Sequence, residues 1–321
     1  MTPGRAPTPA PAAAGVPDVV VVGSAARDIA VDDPRGWRLG GGVTYGGLTL
    51  ARLGLRAGVV LGVDPPGASA TELDLMAEAG AEIHLVRLDR SPVFENVETP
   101  AGRIQTCLEP GEPIPTDALP AGWQAARAWL LAPVADELPD AWASVPPDGA
   151  LVALGWQGIL RELPHGGLTR RRPPRPSPLV ARADIVGVSR HDVDPDTPLE
   201  SLWRLMKPGA TLLVTEGILG GWRLGLGSDG PAERRHYPAI HAEREVDPTG
   251  AGDVFLAGYL AARAGSALGG SLRHGSDLRL AAAAASLNVE GPGLLGVPHL
   301  GAVVRRLRSS LGPGAGQPPD A

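Results

Sequence analysis

Cysteine and lysine are almost absent from this sequence of 321 residues. It contains one cysteine, Cys107, and one lysine, Lys207. A lone cysteine excludes an internal disulfide and a cysteine-based zinc cluster, and it is typical of a reducing, cytoplasmic compartment. Nucleotide-binding P-loops need a lysine beside their glycines, and protein kinases need one on a strand. Lys207 follows no glycine-rich loop, so both designs are excluded, and a phosphate site here must use backbone N–H groups, arginine or a metal ion.

The sequence also lacks long apolar runs and an excess of positive charge. No apolar run approaches the roughly 18 residues that a membrane-spanning helix needs. The 29 basic residues are outnumbered by 35 acidic ones, which gives a formal net charge of −6. That balance argues against a nucleic acid or an anionic membrane as the partner. The length is typical of one large α/β domain or of two small domains.

Short apolar runs alternate with amphipathic or alanine-rich segments between two tails. Residues 1–16 and 312–321 are rich in proline, glycine and alanine, and we expect both tails to be disordered. Strands are expected at Val19–Val22, Gly58–Leu61, Ala128–Ala132, Ala150–Leu154, Asp184–Val188 and Ala210–Val214. Helices are expected at Thr44–Leu53, Ala70–Ala79, Leu199–Met206, Ala251–Arg263, Asp277–Val289 and Leu300–Leu311. The alternation predicts an α/β fold with a mostly parallel central sheet and helices on both of its faces.

Two further segments have a different pattern. Residues 92–98 and 103–108 alternate polar and apolar side chains on either side of the turn Thr99–Gly102. This pattern predicts a half-exposed β-hairpin. Residues 28–39 also have an extended pattern. We therefore expect a small β flap, or lid, from residues 28–39 and 88–109 over the edge of the sheet.

The most specific motif lies at Asp247–Leu260, with the sequence DPTGAGDVFLAGYL. A proline-containing turn leads into Gly250-Ala251-Gly252, and a strong helix follows. Glycines let backbone N–H groups approach an anion closely, and the positive end of the helix points at the same place. Asp253 falls in the first turn of that helix, where a carboxylate can take a proton from an attacking alcohol. An ordinary helix cap is the alternative for Asp253, but the complete motif favours the chemical role.

This motif resembles the C-terminal signature of the PfkB/ribokinase family of carbohydrate kinases, and the resemblance extends over residues 17–311. It implies a ribokinase-like three-layer αβα sandwich with a small lid, in one kinase domain at residues 17–311. It also implies that Asp253 is the catalytic base and that the N–H groups of Gly250, Ala251 and Gly252 form an anion hole. The hairpin and the QGILR segment most resemble the myo-inositol kinase branch.

The resemblance also implies a substrate site. Asp28, which follows the first strand, matches the family position that binds substrate hydroxyls, and Gly41 and Gly42 match the substrate loop. The alternative for Asp28 is a turn carboxylate at the end of a strand. This chain has Val43-Thr44-Tyr45 where many family members have an asparagine in the loop.

An ATP site is implied in the same way. Thr215, Gly217 and Gly220 match the strand and turn that lie over the ATP phosphates, and Asn288 matches the nucleotide side of an alanine-rich helix. A plain hairpin turn is the alternative for the first three residues. A packed helix without a ligand is the alternative for the region of Asn288.

Charged residues complete the predicted site. Asp192 matches a carboxylate that orders water around Mg²⁺, with a helix cap as the alternative. Arg161 is the best cationic clamp for a transferred phosphoryl group, with a surface arginine as the alternative. Asp247 and Thr249 match the family's potassium site. The proline- and arginine-rich residues 164–178 are predicted to form a solvated surface loop.

Together the matches predict ATP-dependent phosphorylation of a hydroxyl on a small sugar or cyclitol, with Mg²⁺ and a candidate K⁺ as cofactors. We expect a cytoplasmic enzyme without a nucleic-acid or membrane partner. We also expect a homodimer through the lid, because a half-exposed hairpin offers an edge for pairing. A catalytically silent nucleotide- or sugar-binding regulatory protein of the same fold is the alternative. A dehydrogenase is disfavoured, because the first strand leads into GSAARD rather than GxGxxG.

Overall fold

The strands and helices are known for most of the chain, because the computed structural model describes residues 15–99, 102–265 and 276–310. The disorder expected for residues 1–16 and 312–321 therefore lies outside the described residues, apart from residues 15 and 16. The strands are β1 Val19–Ser24, β2 Ala26–Ile29, β3 Trp37–Gly40, β4 Ala57–Val63, β5 Glu82–Arg87, β6 Val93–Thr99, β7 Gly102–Glu109, β8 Ala128–Leu131, β9 Leu151–Gly155, β10 Arg161–Glu162, β11 Gly167–Leu168, β12 Arg170–Arg171, β13 Ile185–Ser189, β14 Thr211–Thr215, β15 Gly221–Leu226 and β16 Pro231–Tyr237. The α-helices are α1 Gly42–Arg52, α2 Thr71–Glu78, α3 Pro178–Arg182, α4 Leu199–Trp203, α5 Ala251–Ala264, α6 Ser276–Asn288 and α7 Leu300–Ser309.

Nine strands form the central sheet, in the order β16–β15–β14–β13–β9–β8–β1–β4–β5. The strands from β14 to β5 run parallel, and β15 and β16 complete one edge as an antiparallel hairpin. The predicted mostly parallel sheet is therefore confirmed, and all six predicted strands lie in it. The sequence did not predict β5, β15 or β16. The edge strands β5 and β16 are largely exposed and carry polar residues, so they lack a continuous apolar run.

Two apolar cores separate the three layers. The valines of β1 show this, because Val19 and Val21 pack into one core while Val20 and Val22 pack into the other. The first core receives α1, α2, α5, α6 and α7, and the second receives α3 and α4. Strand side chains alternate between the two faces, so a run buried on both faces must be apolar throughout. This arrangement confirms the predicted αβα sandwich.

Helix boundaries differ from the prediction at particular residues. Helix α1 begins at Gly42 rather than Thr44, because Gly41 takes a φ of 95° and supplies the cap. Helix α4 ends at Trp203, short of the expected Met206. Helix α3 was not predicted, and its five residues are too few to show a helical period. Among the described residues, no helix has the length and apolar character needed to cross a lipid bilayer.

The lid is a separate five-stranded sheet in the order β11–β7–β6–β2–β3. The antiparallel pair β6 and β7 is the predicted hairpin, and β2 and β3 are the expected extended segment. Residues 164–178 depart from the prediction of a plain surface loop. They supply β11, which pairs with β7, and β12, which pairs with β10. The pattern of apolar residues could not predict these strands, because each has only two residues.

Ion pairs fix the base of the lid to the central domain. Arg27 of β2 pairs with the nearly buried Asp64 at 2.7 Å, and Arg35 pairs with Glu72 of α2 at 2.7 Å. The Arg35 guanidinium also lies over the ring of Trp37, 4.6 Å from its centroid. Paired and partly buried charges of this kind hold one orientation better than exposed pairs do. The lid strands therefore have a defined position over the sheet.

Candidate active site

The glycine-rich turn forms the beginning of α5. Gly250 caps this helix with a φ of 75°, and a Cβ at Gly250 would lie 2.3 Å from the ring of Tyr45. Only glycine satisfies both conditions. A Cβ at Gly252 would meet nothing within 4 Å, so this side of the turn is open to an approaching molecule. The N–H groups of a first helical turn and the helix dipole together favour an anion here.

Asp253 lies in the same turn, half-buried against the start of α1. Its Oδ1 atom is 2.9 Å from the position that a Cβ of Gly42 would take, so Gly42 leaves room for the carboxylate. Withdrawal from water raises the pKa of Asp253 to about 7. The negative charges of Asp192 and Asp28 add to this rise, and Arg161 opposes it. A carboxylate with a pKa near 7 is suited to exchanging protons at neutral pH.

Asp192 is both a cap and a neighbour of Asp253. It lies in the turn Arg190–Asp192 after β13, where its Oδ2 accepts a hydrogen bond from Ser189 N at 2.9 Å. Its Oδ1 accepts one from Gln157 Nε2 at 3.0 Å and faces Arg161 Nη2 at 3.9 Å. Asp192 therefore forms the cap that was the alternative in the sequence, and its role near Mg²⁺ stays a prediction. Gln157 is a contact that sequence reasoning did not single out.

Asp28 joins the lid through a chain of side-chain amides. Asn96 Nδ2 of β6 donates to Asp28 Oδ1 at 3.2 Å, and Gln105 Nε2 of β7 donates to Asn96 Oδ1 at 2.9 Å. Asn96 and Gln105 face each other across the hairpin. Sequence reasoning predicted this hairpin from its alternating pattern but singled out neither Asn96 nor Gln105. The alternating pattern of the two strands could have identified them, because Asn96 and Gln105 share a face with the buried Phe94 and Cys107.

Two glycines make space around Asp28 and the start of α1. A Cβ at Gly40 would lie 2.4 Å from Asp28 Oδ2. A Cβ at Gly41 would lie 2.8 Å from the carbonyl oxygen of Ser24. The glycine run therefore lets the loop pass directly beneath the end of β1. Gly41 and Gly42 lie between Asp28 and Asp253, and their role in substrate binding stays a prediction.

A buried carboxylate fixes the end of β1. Glu137 is 3 % exposed, and it accepts hydrogen bonds from Ser24 N at 2.8 Å and from Ala135 N at 2.7 Å. Val134 N donates to it as well. Burial raises the pKa of Glu137, although the backbone donors act in the opposite direction. Glu137 was not predicted, and it holds the strand that leads to Asp28 against the loop after β8.

The residues behind the signature turn form a second hydrogen-bonded group. Asp247 accepts from Thr249 N and from Gly293 N, each at 2.9 Å. Asn288 donates from Nδ2 to the carbonyl oxygen of Thr249 at 3.0 Å. Asn288 has no exposed surface, and its Oδ1 atom is buried without a hydrogen-bond partner. Asn288 therefore supports this turn from a buried position, and its contact with a nucleotide stays a prediction.

The turn after β14 lies beside the Asp192 region. Thr215 ends β14 and is paired in register with Ser189. Gly217 and Gly220 have φ values of 58° and 88°, and a Cβ at Gly220 would lie 2.0 Å from the carbonyl oxygen of Tyr237. These glycines are required by a close turn that packs on the end of β16.

Four of these residues lie at the carboxyl-terminal ends of strands in the central sheet or just after them. Asp28 follows β1, Arg161 follows β9, Asp192 follows β13 and Thr215 ends β14. In open parallel sheets, ligands bind at the carboxyl ends of the strands. The charges of Asp28, Asp192 and Arg161 all act on the pKa of Asp253. Among the described residues, no group of three or more His, Cys, Asp or Glu side chains is placed to hold a metal ion directly.

The raised pKa of Asp253 predicts a pH-dependent stability. Its pKa of about 7 in the folded protein lies above the value of 3.8 for a free Asp, so the folded state binds this proton more tightly than the unfolded state does. Ionisation of Asp253 therefore costs stability as the pH rises from about 4 to 7. We expect Asp253→Asn to unfold like the wild type near pH 4 and to be more stable above pH 7, by at most about 4 kcal/mol. Urea denaturation at both pH values tests this, and an equal difference at both would contradict the burial argument.

Comparisons with known proteins agree with this arrangement. Residues 188–298 match the model of the pfkB family carbohydrate kinases. A pyrophosphate-dependent kinase in the ribokinase family, solved with a pyrophosphate analog and myo-inositol, has a TM-score of 0.70 and 18 % identity, covering 89 % of this chain and 99 % of its own. Ribokinase of Arabidopsis thaliana, solved with ribose and ATP, has a TM-score of 0.64 and 20 % identity, with 92 % and 99 % covered. Ribokinase of Cryptococcus neoformans var. grubii, solved with ADP, has a TM-score of 0.65 and 16 % identity, with 90 % and 99 % covered.

Curated protein sequences gave no significant match to this chain. The family match contains Asp192, Thr215 and the whole Gly250–Asp253 turn. It confirms the resemblance to PfkB kinases and bears out the prediction of a carbohydrate kinase. The solved structures, all of low identity, independently confirm the fold. The chain is a protein of the ribokinase-like fold that carries PfkB carbohydrate-kinase sequence at residues 188–298.

Proposed function

We propose that the protein transfers the γ-phosphoryl group of ATP to a hydroxyl of a small sugar or cyclitol, with Asp253 as the general base. One observation carries the proposal. The carboxylate of Asp253, with a pKa of about 7, lies in the same helical turn as Gly250–Gly252, and the side of Gly252 is open to an approaching molecule. A base for an alcohol and a site for an anion are thus next to each other.

In the proposed reaction, Asp253 takes the proton of the acceptor hydroxyl as its oxygen attacks the γ-phosphorus. The bond from that phosphorus to the bridging oxygen breaks, and ADP leaves. The N–H groups of Gly250, Ala251 and Gly252 stabilise the charge on the phosphoryl oxygens, together with the guanidinium of Arg161. Arg161 suits this role because its side chain is 16 % exposed and directed to the Asp192–Asp253 region.

The lid side supplies the acceptor site in this proposal. Asp28, Asn96 and Gln105 combine carboxylate and amide groups that can accept and donate hydrogen bonds to neighbouring hydroxyls. Gly41 and Gly42 let a ring approach the backbone between Asp28 and Asp253. A polyhydroxylated ring is the acceptor class that fits these groups. The relative solved with myo-inositol supports a cyclitol as one candidate.

The donor site lies on the side of β14. A groove of about 660 Å³ runs past Tyr237–Glu243 and beside α6 and α7. The turn Gly217–Gly220 packs on the end of this groove, through Tyr237 and Ala239. Space for a nucleoside next to a phosphate turn supports ATP over pyrophosphate as the donor.

Metal ions fit the site in two different ways. Asp192 has both carboxylate oxygens engaged by protein groups, so it suits an indirect contact through water to Mg²⁺ held by the nucleotide phosphates. A bound Mg²⁺ would neutralise phosphate charge. For K⁺, the turn at Asp247 and Thr249 offers oxygen atoms, and the buried Asn288 Oδ1 lacks a partner. These residues fit a potassium site behind the anion hole.

The assay that tests the proposal measures ADP release from Mg-ATP with myo-inositol, ribose, fructose and 2-keto-3-deoxygluconate, each in K⁺ or Na⁺. We expect Asp253→Asn to lower kcat by roughly 10²- to 10⁴-fold with little change in KM, because it removes a general base. Asp74→Asn, which alters an exposed aspartate in the first turn of α2, is the matched control and should retain activity. Near-normal turnover in Asp253→Asn would rule out its assigned role.

The other arms of the assay separate the alternatives. Pyrophosphate replaces ATP as donor in a parallel series. Transfer from pyrophosphate alone would overturn the donor assignment and keep the base. ATP binding by calorimetry without transfer to any acceptor would instead favour the silent regulatory protein, which the departures at Val43–Tyr45 and Ser189–Asp192 allow.

The pH dependence of kcat/KM is a separate prediction. Only ionised Asp253 accepts a proton, so kcat/KM should rise about tenfold per pH unit below pH 7 and level off above it. Arg161→Ala removes the guanidinium that stabilises the transferred phosphoryl group, so it should lower kcat by about tenfold or more. It also removes the positive charge that opposes the rise in the pKa of Asp253, so the midpoint of the pH profile should move to higher pH. Initial-rate assays from pH 5 to 9 measure both effects. A midpoint that stays near pH 4 in both proteins would contradict the assignment.

We also propose that two copies associate through the outer face of the lid. Val97, Ile104, Leu108 and Leu168 are 37–57 % exposed, and the strand register places them on the face opposite Asn96 and Gln105. Contact through this face replaces the edge pairing expected from the sequence, because β11 covers the edge of β7. Exposed apolar side chains grouped on one face are typical of an interface.

Light scattering coupled to size exclusion tests the dimer. We expect the wild type to have about twice the chain mass of 33.0 kDa, and we expect Val97→Glu combined with Ile104→Glu to give the mass of one chain. The control Leu85→Glu alters an exposed apolar residue on β5 and should leave the mass unchanged. A wild type that elutes as a single chain at all concentrations would contradict the proposal.

A further inference from the structure

The segment Arg161–Arg172, called the strap here, leaves the central domain, reaches the lid and returns. Its two ends pair with each other as β10 and β12, and Arg172 N donates to Leu160 O at 2.8 Å beside them. Between these ends, Gly167 and Leu168 form β11 on the lid. The strap is therefore a loop whose paired ends lie on the central domain, the domain end, and whose tip lies on the lid, the lid end.

The lid end of the strap meets the strand that carries the acceptor-side amide. Thr169 N donates to the backbone carbonyl of Gln105 at 2.9 Å. The side chain of the same Gln105 donates to Asn96, which in turn donates to Asp28. A displacement of β7 therefore acts on the acceptor-side hydrogen bonds and on the strap together.

The domain end of the strap meets the proposed phosphoryl site. Arg161 is the first residue of β10, and its guanidinium faces Asp192 at 3.9 Å. In β12, Arg171 Nε donates to the carbonyl oxygen of His191 at 2.9 Å, next to Asp192. The adjacent Arg172 pairs with Asp136 at 2.6 Å. The strap therefore carries Arg161, and it is also hydrogen-bonded to the turn that contains Asp192, the carboxylate that Arg161 faces.

We infer that the strap is a positioning element that brings Arg161 to the phosphoryl site when the lid is seated over the acceptor. The inference rests on the proposed kinase function. Thr169 and Gln105 act as positioning residues, and they act through Arg161. Since β10 and β11 lie only five residues apart, lid movement is transmitted to the Arg161 backbone through a short, hydrogen-bonded segment. A seated lid would also exclude water from the phosphoryl site, which disfavours transfer to water.

Replacing Thr169 with proline tests the lid end, because proline has no N–H to donate to Gln105. The matched control is Thr169→Ala, which keeps that N–H. We expect Thr169→Pro to lower kcat by about tenfold, with the acceptor KM changed less than about threefold, and Thr169→Ala to behave like the wild type. In an Arg161→Ala background, Thr169→Pro should lower kcat by less than about twofold, because a positioning residue has no effect without the residue it positions.

Hydrogen exchange tests the mechanical link without any assumption about activity. We expect Thr169→Pro to speed amide exchange in peptides covering residues 157–163 by about fivefold or more, and Thr169→Ala to leave it unchanged. If Thr169→Pro does not fold, Arg172→Pro with the control Arg172→Ala makes the same test from the domain end. Arg172→Pro removes the N–H donated to Leu160.

The outcomes separate the two proposals. Equal behaviour of the proline and alanine variants in exchange and kinetics would overturn the strap, and so would multiplicative losses in the Arg161→Ala background. A wild type without transfer to any acceptor would overturn the proposed function. In that case the exchange experiment alone decides whether the strap links the lid to Arg161.

Discussion

The ionisable group at the start of α5 is the constraint on which the rest of the site depends. Asp253 must lie beside an anion-binding turn and yet be withdrawn from water, and this burial, together with the negative charges of Asp192 and Asp28, raises its pKa. Glycines around the site leave room for its side chains. Gly42 leaves room for Asp253, Gly40 leaves room for Asp28, and Gly250 leaves room for the ring of Tyr45. A side chain at any of these three glycines would displace a group of the site.

The sequence predicted the parts of this protein that one local pattern can encode. The central strands are continuous apolar runs because both of their faces are buried, and the glycine-rich turn is recognisable because its residues are adjacent. Asn96, Gln105 and Gln157 were missed for the opposite reason. Each is a polar residue in an ordinary setting, and its role comes from contacts 9 to 68 residues away. The strands β10, β11 and β12 were missed because two residues cannot show a period.

Two residues that the sequence predicts for the site have structural roles in the fold. Asp192 closes a capping box and also acts electrostatically on Asp253. Asn288 matches a nucleotide-side helix in sequence, but its amide supports Thr249 from a fully buried position. A structural role of this kind is compatible with the predicted chemical role, so the alternatives drawn from the sequence do not exclude each other. A substitution at these positions will alter the backbone of the site as well as its charge.

The two-residue strand β11 also matters for the solubility of the chain. It covers the side of the β6–β7 hairpin that would otherwise present unpaired N–H and C=O groups to other molecules. A strand of two residues is too short to template a further chain, and the two edge strands of the central sheet carry charged residues, Glu82 and Arg87 on β5 and Glu233, Arg234 and Arg235 on β16. The pairing of further strands with β11, β5 or β16 is therefore disfavoured, which protects these strands against fibrous aggregation.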